Sequence, residues 1–102
     1  MRVTIVVDDN VVLVDGKPAH VDLSPLIADR IHAVQWYDSK GEVEFRADDD
    51  DPLGDRQPNE RISDFTPFNR YVEKWKVQRE ADERLAREMQ ERMEEIGRQS
   101  KV

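Results

Sequence analysis

Apolar and polar positions alternate through the first third of the chain and then change period near residue 66. Val3, Ile5 and Val7 recur at every second position, the spacing that puts side chains on one face of a strand, so residues 2–7 predict a first strand. Asp9-Asn10 is turn chemistry. The run Val11-Val12-Leu13-Val14 predicts a second strand, and Asp15-Gly16 supplies the positive φ of a two-residue hairpin turn. A third strand over residues 17–21 contains Pro18, which lacks an amide proton and belongs at a sheet edge or strand start.

Asp22-Leu23-Ser24-Pro25 breaks the alternation, with Ser24 as N-cap and Pro25 at the first helical position of a single turn through Leu26 and Ile27. Ile31-His32-Ala33-Val34-Gln35-Trp36-Tyr37 resumes as a strand, in which Ala33 alternates with His32, Val34 and Trp36. Asp38-Ser39-Lys40-Gly41 closes a hairpin onto Glu42-Val43-Glu44-Phe45-Arg46, whose strict alternation implies one wet and one buried face. Residues 47–61 hold an acidic run, two prolines and Gly54 without periodicity, and read as an exposed loop.

From Pro67 to Gln99 there is one glycine, Gly97, and no further proline, while strong helix formers dominate. This predicts one long helix. Thr66 is its expected N-cap with Pro67 at N1, and Phe65 is expected to staple onto the first turns. Phe68, Tyr71, Val72 and Trp75 form an apolar stripe at helical spacing that should complete the core of the head. The fold class expected is α+β: a small antiparallel β-rich head over residues 1–65, with a loop at 47–61, followed by a long helix over 66–99.

The distal part of that helix is the candidate functional element. Its apolar residues thin to Val77, Leu85, Met89, Met93 and Ile96, and no remaining segment is long enough to cover the last four. Leu85, Met89, Met93 and Ile96 are therefore the expected partner-binding residues. Glu80-Arg84, Glu83-Arg87, Glu88-Arg92 and Glu94-Arg98 stand in the favourable i, i+4 order, each worth about 0.2–0.5 kcal/mol. A heptad threaded through the helix places Gln78, Asp82 and Arg92 in the seam, which argues against a regular coiled coil and for a looser bundle or docking in a groove.

Composition narrows the function. Of 102 residues, 38% are charged and 37% hydrophobic, so much of the chain faces water, and oligomerisation or docking is the expected aid to a small core. Residues 1–65 carry 7 basic and 15 acidic side chains, a net of −8, whereas residues 66–102 carry 9 and 8, a net of +1. An acidic head repels phosphates, which argues against nucleic-acid binding and leaves mimicry of nucleic acid as a minor alternative. The longest apolar stretches fall far short of the ~20 residues of a membrane span, and no signal-peptide core is visible, so a soluble protein made in a cytoplasm is expected.

Candidate chemistry is sparse. With no cysteine there is neither a disulfide framework nor a thiolate metal site. The acids Asp48 to Asp51, with Asp55 nearby, are a contiguous run rather than alternating ligands, unlike a calcium loop, and read as a solvated surface. His20 and His32 could at most form a weak zinc site with carboxylates, and no residue stands at triad spacing, so neither cofactor nor catalysis is expected. Trp36 and Trp75 read as packing residues.

Ile31-His32-Ala33-Val34-Gln35-Trp36-Tyr37, then Gly41-Glu42-Val43-Glu44-Phe45 and Ile62-Ser63-Asp64-Phe65-Thr66-Pro67-Phe68, with the Val14-Asp15-Gly16 hairpin, resembles small proteins encoded among the tail and tail-fibre genes of tailed bacteriophages. The resemblance covers approximately residues 1–75; the acidic insertion at 48–55 departs from it, and the helix beyond Trp75 looks like a variable extension. It implies a virion protein of the tail or tail-fibre region that binds tail or fibre proteins, or alternatively an assembly chaperone absent from the mature particle; the uncovered stripe adds the expectation of a homo-oligomer or of multiple copies in the particle. No functional residue is carried over from it.

Overall fold

The computed structural model describes residues 1–47 and 57–99. Six strands, β1 (Arg2–Val6), β2 (Val11–Val14), β3 (Lys17–His20), β4 (Ile31–Tyr37), β5 (Lys40–Phe45) and β6 (Glu60–Ile62), form one antiparallel sheet in the order β3-β2-β1-β4-β5-β6. The short helix α1 (Ser24–Ala28) joins β3 to β4. A 3₁₀ turn (Thr66–Phe68) leads into the long helix α2 (Asn69–Gln99). The protein is α+β, with the sheet at its N-terminal end and one long helix after it.

Two of the turns follow directly from residue chemistry. Asp15 and Gly16 both adopt positive φ, 50° and 83°, the pairing that matches a two-residue turn to the twist of β2 and β3. Asp15 also accepts the Arg2 amide through Oδ1 at 2.9 Å, tying the turn to β1. Asp38 and Ser39 make the turn between β4 and β5, which differs in having positive φ, 55°, at Asp38 alone. Gly41 is not part of that turn. It lies in β5 opposite Trp36, where an added Cβ would overlap the Gln35 carbonyl oxygen and stand 2.8 Å from Cε3 of Trp36.

One face of the sheet is covered. Val3, Ile5, Val12, Val34, Trp36 and Val43 project from it into one cluster with Leu23 before α1 and Leu26 within it, with Phe65 and Phe68 at the 3₁₀ turn, and with Tyr71 and Val72 at the start of α2. Removing such side chains from water, about 1.5–3 kcal/mol each, is the main force holding sheet and helix together. Trp36 stacks on Phe65 at 5.2 Å between ring centroids, and Phe65 meets Phe68 at 5.8 Å.

Three expectations are corrected. Glu60–Ile62, the first two of which fall in the expected loop, form an edge strand: only three residues long, it shows no alternation, and backbone pairing to β5 makes it a strand. The acidic run itself lies outside the described residues. In β4 a bulge between Ile31 and Ala33 shifts the register, so Ile31, not His32, joins Val34 and Trp36 in the core.

The third correction concerns both helix starts. The capping acceptor is an aspartate two residues before the expected cap: Asp22 Oδ1 accepts from the Ser24 amide at 3.0 Å and hydroxyl at 2.7 Å, and Asp64 Oδ1 from those of Thr66 at 3.0 and 2.6 Å. In each case the amide four residues after the aspartate returns to the carbonyl one residue after it, Leu26 to Leu23 at 2.9 Å and Phe68 to Phe65 at 2.8 Å. Asp22-Leu23-Ser24-Pro25-Leu26 and Asp64-Phe65-Thr66-Pro67-Phe68 are one motif used twice, each burying its two apolar residues.

Candidate interaction surface

Helix α2 is anchored to the head over about three turns, Asn69 to Arg79, and then leaves it. Phe68, Tyr71 and Val72 are buried, and Trp75 packs half-buried against the core. Trp75 Nε1 donates to the Lys17 carbonyl at 2.8 Å, and an Arg79 guanidinium nitrogen to that of Pro18 at 3.2 Å. Both acceptors lie on β3, an edge strand of the sheet, so these bonds tie the helix to that edge. Arg79 in turn reaches Glu83 at 3.3 Å.

Every residue from position 80 to 98 is exposed. Within that stretch Leu85, Met89, Met93 and Ile96 are 56%, 53%, 72% and 65% exposed. At 3.6 residues per turn these four fall within an arc of about 80°. The structure thus brings all four predicted partner-binding residues onto one side of the rod, and among the described residues none covers them. Val77, 70% exposed, lies off that stripe, beside a groove of about 450 Å³ at the head–helix junction lined by His20, Val21, Asp22, Glu73, Lys74 and Gln78.

The charges around the rod are loosely held. The contacts that form are Lys76 to Glu73 at 3.2 Å, Gln78 to Asp82 at 2.9 Å and Arg79 to Glu83. The pairs Glu80-Arg84, Glu83-Arg87, Glu88-Arg92 and Glu94-Arg98, expected from spacing, do not close. Exposed i, i+4 pairs gain little over hydration, so an open arrangement costs the helix little.

The histidines stand apart. His20 is on β3 and His32 on β4, three strand positions away or roughly 14 Å at the usual strand spacing, so the two do not share a site. His32 Nδ1 instead lies 3.3 Å from Asp8 Oδ2, whose other oxygen pairs with Arg46. The Ser24 and Thr66 hydroxyls and amides hold the carboxyls of Asp22 and Asp64 below the usual carboxylate range by stabilising their charged forms. Among the described residues no three His, Cys, Asp or Glu side chains group as metal ligands, and no helix is long and apolar enough to cross a membrane.

Comparison with family models, curated proteins and solved structures finds no match.

Proposed function

We propose that this chain is a non-catalytic connector of the tail or tail-fibre region of a bacteriophage particle, its head seated on a tail or fibre subunit and its distal helix packed against a protein partner. One observation carries the interaction role: α2 runs on for some 20 residues past Arg79, its last tie to the head, with Leu85, Met89, Met93 and Ile96 in water. The molecule measures 67 × 33 × 18 Å with a radius of gyration of 18.8 Å, against about 13 Å for a compact domain of this length. An apolar stripe on such a protruding rod has little use except association.

The phage assignment rests on the resemblance of residues 31–37, 41–45 and 62–68. Mass spectrometry of purified particles tests it, a connector being present at a fixed copy number. Absence from particles, together with a raised soluble yield of a fibre protein on co-expression, means a chaperone; absence from both assays removes the phage reading. Replacing Leu85 and Met89 by Glu should abolish retention in the particle while leaving the head folded.

A further inference from the structure

We propose that the occupant of the distal stripe is a second copy of this chain, running antiparallel, with the two-fold axis beside Gln90. This rests on the stripe being an interface and names what covers it. The charges on one flank of the stripe complement one another when their order is reversed. Arg84, Glu88, Arg92 and Glu95 alternate in sign along one flank of the stripe, within an arc of about 80° adjoining it. Reversed and laid against itself, that flank sets Arg84 opposite Glu95 of the second copy and Glu88 opposite Arg92, each twice. The same alignment sets Leu85 opposite Ile96, also twice, and brings the Met89 side chains together near the axis. These pairings agree in register to within about one residue, or ~1.5 Å. In a parallel copy the two flanks lie on opposite sides of the seam, so these charges do not meet and the complementarity is unused.

Two features of the fold agree. The overlap runs over residues 81–99, with Gln99 of one copy level with Ala81 of the other, and so begins just beyond Arg79, the last residue bound to the head. Next, Met89 and Met93 lie 18 residues, or five turns, beyond Tyr71 and Trp75, on the side of the rod that holds the head. Parallel rods would drive both heads into the same space, whereas antiparallel rods send them to opposite ends. One of the three polar seam positions that spoil a regular coiled coil also finds a use, since Arg92 reaches Glu88 of the partner copy.

The pairing is modest in strength. Four side chains per copy, each more than half exposed, bury roughly 900 Å² across the pair, below the ~1,200 Å² of stable specific interfaces, so a micromolar equilibrium is expected. Sedimentation of the full chain between ~1 and ~200 µM should show monomer converting to dimer. Met89→Glu should leave monomer only. Arg84→Glu should weaken dimerisation about 5- to 10-fold, and adding Glu95→Arg to the same chain should restore it, since the two positions are too far apart to meet within one helix.

Orientation can be read by disulfide trapping, because the chain has no cysteine. A Leu85→Cys chain mixed with an Ile96→Cys chain should cross-link, and Leu85→Cys alone should not. A monomer at all concentrations, a dimer indifferent to Met89→Glu, or self-linking of Leu85→Cys overturns the inference. None of those results bears on the presence of the protein in particles, which the mass spectrometry above decides separately.

Discussion

The indole nitrogen of Trp75 donates to the carbonyl of Lys17 at 2.8 Å across 58 positions of sequence. That bond, with the packing of the ring on the core, marks where α2 stops belonging to the head. Trp75→Phe keeps an aromatic ring and removes the donor, and should cost about 1–2 kcal/mol in urea denaturation followed by far-ultraviolet circular dichroism. A variant as stable as the parent would show that the bond is exchanged for water at no cost.

Two glycines should respond unequally to alanine. At Gly41 a methyl group collides with the Gln35 carbonyl and the Trp36 ring, both fixed in the sheet, and about 1–3 kcal/mol is expected. At Gly16 nothing lies within 4 Å and the penalty is only that of a positive φ, on the order of 1 kcal/mol. Thermal melts of the two variants give the order, and a reversed order refutes the contact at Trp36.

Tyr71 is fully buried, yet its hydroxyl finds no hydrogen-bond partner among the described residues. Tyr71→Phe should therefore leave stability unchanged or raise it by up to ~1 kcal/mol, because a desolvated orphan is removed and the ring stays. Tyr71→Ala should cost about 3–5 kcal/mol through the cavity it opens. A marked loss in the Phe variant would reveal a hidden partner.

Acid should loosen both helix starts. Asp22 and Asp64 have folded-state values below the ordinary one, so their stabilisation is present above about pH 4 and is lost as pH falls through the lowered values. Tm should decline between about pH 4 and pH 2. In the chain carrying Asp22→Asn and Asp64→Asn, which keeps the acceptor oxygens without the titration, the decline should be shallower. Parallel curves for the two chains would place the acid sensitivity elsewhere.

Much of this was legible beforehand because it depends on neighbours in sequence. Period-two runs give β1, β4 and β5, the β-branched run Val11-Val12-Leu13-Val14 gives β2, Asp15-Gly16 gives the turn that places β3, and the helix-forming run after Pro67 gives α2. The sixth strand was not legible, since Glu60, Arg61 and Ile62 become a strand only through the β5 edge. The core place of Ile31 was hidden by a bulge, and the role of Gly41 by Trp36, its cross-strand neighbour in β4. The repeated Asp-apolar-Ser/Thr-Pro-apolar motif is present in the sequence, but its Ser-Pro and Thr-Pro pairs alone have the form of caps and hide the aspartate's role.

By itself, then, the sequence determined periodicity, turn chemistry, charge distribution and the identity of the stripe Leu85, Met89, Met93 and Ile96, all of which follow from the order of residues along one strand or helix. Only the tertiary structure decided where α2 parts from the sheet. Whether an apolar side chain is covered depends on what else reaches it in space, and after Arg79 nothing in the described chain does.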